Sequence, residues 1–220
     1  MKGFVIAIEQ LPQSMDVANR CIESAEKFGI STDISPAITP DTNPRGLLKK
    51  LQINDQYFKD DIGSRPENVV ATFLSHYRLW SMCAEGKETF VIFEHDAVVI
   101  NEIPKYAIFQ GCMNIGAPSY GKFEQPSMIG VNPLTSKQYF PGAHAYMLKP
   151  AAAKILCDVA KVSAMATDVF LQKSLFPWLE EFYPWPVVAK DSFTTIQNET
   201  GCQAKYNYQK NPSRYEFLKV

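Results

Sequence analysis

Two apolar runs separated by a charged step constrain this chain more than any other feature. Thr89 to Phe93 (TFVIF) is apolar and partly β-branched, the composition of a strand buried on both faces of a parallel sheet. Glu94, His95 and Asp96 follow at once, and a second apolar run, Ala97 to Ile100, comes next. Charge set between two such runs is costly to bury unless it is paired or metal-bound. At the C-terminal end of a parallel strand it also faces the crevice where open α/β sheets bind ligands. In extended backbone Glu94 and Asp96 point one way and His95 the other. Two hard carboxylates converging on one point suit Mg²⁺ or Mn²⁺, with a phosphate completing the shell. A solvated acidic loop, or an aspartate capping the next turn, accounts for the same triplet without a metal.

The segments around the triplet read as α/β. Gly3 to Ile8 is a first buried strand, Glu9 to Ser14 a loop, and Asp16 to Phe28 a helix with Val17, Cys21, Ala25 and Phe28 at helical spacing. Asp16 suits its first turn and Gly29 its stop. Thr32 to Ser35 is a second strand, and strand, helix, strand in that order is a βαβ unit. Asp41 to Arg65, with Pro44, Gly46 and the Asp60-Asp61 pair, is an irregular excursion with short helix. Glu67 to Glu85 is the clearest helix, with Val70, Phe73, Leu74, Tyr77 and Trp80 on one stripe. A neighbouring stripe aligns Thr72, Ser75, His76 and Leu79, and a half-buried histidine bonded to a backbone carbonyl explains His76 as readily as a functional role.

Beyond the triplet, Pro104 to Phe109 reads as a helical turn, Cys112 to Ala117 as a strand, and Ala117 to Pro133 as an irregular loop. Gly142-Ala143-His144-Ala145-Tyr146 offers small residues where a ligand or another backbone can come close. Pro150 opens a helix to about Lys161, and Thr167-Asp168 starts another that runs on toward Pro177. Thr167 as cap with Asp168 in the first turn is ordinary helix-start chemistry. Tyr183 to Ala189 is one late strand. Residues 1–198 read as a single domain, and 199–220 as a polar tail packed on its surface.

Composition closes off several functions. A net charge of −1 with no basic run argues against nucleic acid. No apolar run is long enough to span a membrane, and the N-terminus lacks a signal-peptide pattern. The five cysteines are scattered without a C-x-x-C pair, which suits reduced thiols in a cytoplasmic protein.

Several of these segments, in this order, resemble glycosyltransferase family 25, the lipooligosaccharide-biosynthesis type. The resemblance lies in Phe4-Val5-Ile6-Ala7-Ile8, Pro36-Ala37-Ile38-Thr39 and the helical Ala71-Thr72-Phe73-Leu74-Ser75-His76-Tyr77-Arg78-Leu79-Trp80. It continues through Glu94-His95-Asp96, where the family has Glu-Asp-Asp, then Gly142 to Tyr146, and Asp168. It implies a GT-A fold, a Rossmann-like nucleotide-sugar-binding domain with a mainly parallel mixed sheet flanked by helices. It implies transfer of a hexose, galactose foremost, from a UDP-sugar to a glycan or other hydroxyl acceptor, with inversion and with Mn²⁺ or Mg²⁺. Asp96 and Glu94 would then hold the metal, with His95 able to approach it. Ile8, Glu9, Ala37 and Thr39 would line the uridine pocket, while Ser75, His76, Glu94, Gly142, Ala143 and Tyr146 complete the donor site. Asp168 would be the catalytic base. Because His95 replaces an acidic residue, a catalytically impaired relative acting as a nucleotide-sugar-binding or assembly module stays open.

Overall fold

The computed structural model describes residues 1–58, 65–119 and 121–190; the expected tail at 199–220 and the Asp60-Asp61 pair lie outside them. The chain opens with β1 (Lys2–Ala7), α1 (Pro12–Lys27) and β2 (Thr32–Pro36), with β2 parallel to β1. Pro12 occupies the first turn of α1, where its missing N–H costs nothing. The helix therefore begins a full turn before Asp16, which the sequence reading placed in the first turn. Gly29, at φ +69°, ends it as expected.

A 3₁₀ turn (Pro40–Thr42), α2 (Pro44–Lys50) and α3 (Pro66–Glu85) fill the excursion before β3 (Phe90–Glu94). The apolar stripe of α3 is the centre of the core. Phe73 meets Phe58, Trp80 and Phe170 edge-on at 5.3, 5.6 and 5.5 Å, an arrangement the ring quadrupoles favour.

The remaining strands are β4 (Ala97–Val99), β5 (Cys112–Asn114), β6 (Gly130–Pro133), β7 (Ala145–Leu148), β8 (Glu180–Tyr183) and β9 (Val187–Ala189), with α4 (Pro150–Ser163) and α5 (Thr167–Phe170) between β7 and β8. One sheet has seven strands in the order β2-β1-β3-β7-β5-β8-β6, and β4 with β9 makes a second, two-stranded one. Only β7 and β6 oppose the other five strands of the large sheet. This is the mainly parallel mixed sheet flanked by helices that the sequence implied.

One core layer packs the sheet against α3 and α4, and the other packs it against α1. β3 alternates between them: Phe90 and Ile92 face α3, Val91 and Phe93 face α1, and all four are buried. Because β1 leads through α1 to β2 on one flank while α3 delivers β3 to the other, the strand order reverses at β1. That reversal opens a crevice beyond the C-terminal ends of β1 and β3. Ile6 pairs with Glu94 across it, so the residues after β1 and the acidic triplet share one rim.

Four expectations change. The helix at Thr167 is a single turn, with Ala166 at its N-cap, because Leu171 turns to ψ 69° and its carbonyl accepts from Phe140 N at 2.9 Å. The late strand is two, β8 and β9, separated by Pro184 and Pro186, which withdraw N–H donors from the ladder. The end of the 117–133 loop is strand β6, where Pro133 is tolerated because it lies on the sheet's edge strand. Gly86 ends α3 in extended rather than left-handed backbone, at φ −89°.

Candidate active site

Glu94 is the last residue of β3, and His95-Asp96 form a turn into β4, so the strand ends within the triplet. Glu94 keeps the strand's alternation and faces α3. His95 faces α1, where its Nδ1 lies 2.5 Å from Ser14 Oγ. Ser14 Oγ also accepts Ile8 N–H at 2.9 Å, which ties the end of β1 to the triplet. Asp96 comes close enough to Cys21 of α1 for its charge to help raise that thiol, beyond the larger effect of burial. Its main-chain oxygen accepts from Lys190 N at 3.1 Å.

Behind Glu94 runs a chain of buried hydrogen bonds. Trp80 Nε1–H donates to Tyr146 Oη at 2.7 Å, and Tyr146 Oη lies 2.8 Å from His76 Nδ1. His76 Nε2 lies 3.2 Å from Glu94 Oε1. Burial lowers His76 from 6.5 to about 3, so the ring is neutral. With one proton per link, Trp80 donates to Tyr146, Tyr146 to His76 Nδ1, and His76 Nε2–H to Glu94. Trp80, Tyr146 and His76 expose nothing to solvent, so they hold Glu94 from behind. The stacking of His76 on Tyr146, with ring centres 5.8 Å apart, reinforces the alignment.

Asp168 is half-buried in the single turn of α5. Burial first, and the Asp168 charge second, raise the Glu94 carboxyl from 4.5 to about 8. The two carboxylates are therefore near enough for one charge to act on the other, and Lys137 is near enough to Asp168 to feel its charge. The Gly142–Tyr146 segment reaches the same place through its backbone: His144 O accepts from Glu94 N at 2.9 Å. Ala143 is buried, and a Cβ on Gly142, whose φ is +110°, would lie 2.5 Å from Ser119 Oγ. The small residues there admit neighbouring side chains.

The other predicted residues surround the opening. Ile8 is half-buried and Glu9 exposed just past β1, while Ala37 and Thr39 are half-buried just past β2. Ser75, fully buried, receives Ile38 N–H at 2.9 Å and donates to Ala71 O at 2.9 Å, so it pins the 37–39 loop from α3. Arg78, one turn on, donates to Ser35 Oγ at 3.0 Å and to Pro36 O.

Sequence reasoning did not single out Trp80, Ser14, Arg78 or Lys137 for the site. Trp80 was legible: it stands four residues after His76, one helical turn away. Ser14, in the first turn of α1, and Lys137, in a loop, lie far from the triplet in sequence and carry no local signal. Among the described residues, no three His, Cys, Asp or Glu side chains gather into a ready cage for a metal ion. Glu94 and Asp96, two residues apart at the end of β3, supply carboxylates of the kind that suits Mg²⁺-type ions sharing their shell with substrate phosphates. Among the described residues no helix is long and apolar enough to cross a membrane.

Comparison with known proteins completes the picture. No curated protein gives a significant match. Among solved structures, the whole chain aligns with 82% of a mutant Drosophila beta-1,4-galactosyltransferase 7 in complex with manganese, UDP-Gal and xylobiose, at 9% identity and a TM-score of 0.43. Residues 1–115, from β1 through the Ser75-His76 helix and the triplet to β5, match the model of glycosyltransferase family 25 (LPS biosynthesis protein). That match covers just over half of the 220 residues, and the protein belongs to this family of glycosyltransferases.

Proposed function

We propose that the protein transfers galactose from UDP-galactose to a hydroxyl of a glycan acceptor in lipooligosaccharide biosynthesis, with inversion and with Mn²⁺ or Mg²⁺. The observation that carries this reading is the family match over residues 1–115 together with Glu94 held by His76 at the end of β3, its carboxyl driven up to about 8 by burial and by the charge of Asp168. Such a pair is unfavourable with both groups ionised. It gains from a cation arriving with a diphosphate, or from positive charge developing on a sugar.

In this proposal Asp96 and Glu94 of the triplet hold the ion, and His95, tied to Ser14, leaves it to them. When bound, the ion offsets the charge that develops on the departing UDP. Ile8, Glu9, Ala37 and Thr39 receive the uridine. Gly142 and Ala143 allow the donor close approach, and Ser75, His76 and Tyr146 act from behind by fixing the 37–39 loop and Glu94. Asp168 takes the proton of the acceptor hydroxyl onto a carboxylate oxygen as that hydroxyl attacks the anomeric carbon. The attack comes from the face opposite UDP, so the configuration inverts. We further propose that residues 1–198 form one GT-A-type domain with 199–220 on its surface, and that the protein works in the cytoplasm.

A panel of nucleotide-sugars screened with Mn²⁺ tests the reading. UDP-galactose is expected to raise the melting temperature most and to release UDP, and Asp96→Ala to abolish the rise. If no UDP-sugar stabilises the protein with any divalent metal, the reading fails.

A further inference from the structure

Glu181 is a carboxylate with no exposure at all, and nothing in the proposed reaction uses it. Its Oε1 accepts Thr135 N–H at 2.6 Å, Ser136 N–H at 2.7 Å and the Thr135 hydroxyl at 3.2 Å. Its Oε2 accepts the indole Nε1–H of Trp185 at 3.3 Å. A buried polar group is tolerated when it is hydrogen-bonded this fully. Its effect is to fix one indole and one loop relative to each other.

The indole belongs to an aromatic cluster. Trp185 meets Phe123 at 5.8 Å and Tyr183 at 5.2 Å, both nearly at right angles. Phe123 is 37% exposed, and Tyr183 and Trp185 are half-buried. Tyr183 ends β8, which runs in the same direction as β3. The cluster and the triplet therefore share the C-terminal rim of the sheet.

The loop held by Glu181 links the cluster to the candidate base. Glu124 N donates to Ser136 O at 3.0 Å, joining the Phe123 loop to the 135–137 segment. A Cβ on Gly121 would lie 2.9 Å from Lys137 Nζ, and Lys137 in turn feels the charge of Asp168. Phe123, Trp185 and the 135–137 segment are thus linked into one block, and its Lys137 feels the charge of Asp168.

We propose that Trp185, with Phe123 and Tyr183, is the platform on which the acceptor sugar rests, held in place by Glu181. A pyranose carries a face of polarised C–H bonds, and electron-rich aromatic faces attract such bonds. A sugar seated there extends a hydroxyl toward Asp168. The ligand class is a neutral hexoside. The inference rests on the glycosyltransferase reading above, and its test separates the two.

The experiment measures UDP release from UDP-galactose with Mn²⁺, with and without methyl β-glucoside or methyl N-acetyl-β-glucosaminide as acceptor. Trp185→Ala is expected to raise the acceptor KM about tenfold, with donor KM and acceptor-independent hydrolysis unchanged. Trp185→Phe should restore most of the loss. The indole N–H resonance of Trp185, assigned by its disappearance in Trp185→Phe, should shift when either glycoside is titrated into the wild type. If Trp185→Ala does not fold, Phe123→Ala replaces it with the same expectation. An unchanged acceptor KM in the folded variant, or an equal rise in both donor and acceptor KM, overturns the platform while leaving the glycosyltransferase standing. A wild type that consumes no UDP-sugar overturns both.

Discussion

The triplet has two unlike sides. On the α3 side, Glu94 ends a line of buried hydrogen bonds from Trp80 through Tyr146 and His76, and it feels the charge of Asp168. On the α1 side, His95 is bonded to Ser14. The α3 side concentrates charge at an opening, whereas the α1 side ties the turn to the helix that follows β1. The lesson is that one strand end can present one residue to the α3 face and tie the next to α1, because alternation sends neighbours to opposite faces.

Breaking the α3 side should cost most. Asp168→Asn is expected to cut transfer by about a hundredfold or more while donor binding stays near wild type, the size of a general-base effect. Steady-state rates beside donor-induced thermal shifts will read this. Equal rates in mutant and wild type would return Asp168 to an ordinary helix start.

A change of pH strikes both sides at once. Burial holds His76 at about 3, and His95 and His144 at about 4, against 6.5 when exposed. Between 6.5 and about 4 the unfolded chain thus binds more protons, so stability falls with falling pH by up to several kcal/mol. Glu94 works in the opposite sense. Its carboxyl titrates near 4.5 unfolded and about 8 folded, so stability falls as pH rises through that interval. Urea unfolding across pH should show a maximum near 6.5, and Glu94→Gln should flatten the decline above it. A decline that persists unchanged in Glu94→Gln would mean that Glu94 carries no such burden.

Smaller effects sharpen the contrast. Tyr146→Phe leaves Trp80 Nε1–H and His76 Nδ1 without their shared hydroxyl, at a cost of about 1–3 kcal/mol. Calorimetry would register each kcal/mol as about 2–4 °C in melting temperature. A change below half a kcal/mol would show that the chain of bonds contributes little to the fold. Ser14→Ala, on the α1 side, should cost about 1 kcal/mol and leave the Mn²⁺-dependent thermal shift in place. Loss of that shift would erase the distinction between the two sides.

Much of this was legible before any coordinates. The apolar stripe of α3 and the run at 89–93 carry strong periodic signals, so both elements stand where the sequence puts them. Opposite facing of Glu94 and His95 follows from strand geometry alone. The departures have local causes. Asp16 looked like a first-turn residue because prolines at position one are invisible to apolar periodicity. The segment after Thr167 has helical spacing, but pairing of Leu171 and Gln172 with Phe140 and Tyr139 draws it out of the helix. β6 reads Gly-Val-Asn-Pro, with no alternation to announce it, and forms because β8 presents an open edge. The hydrogen bonds from Ser14 to His95 and from Tyr146 to His76 span large sequence separations that only the fold closes.

The two-stranded ladder of β4 and β9 has a mechanical consequence. Its register pairs Ala97 with Ala189, and the next link outward is Lys190 N to Asp96 O. Tension applied at Lys190 itself, directed away from Asp96, loads that link first and peels β9 away from the triplet end. A tether attached at the Lys190 side chain would thus act as a gauge of the triplet, and its rupture force should rise whenever a ligand stiffens that turn.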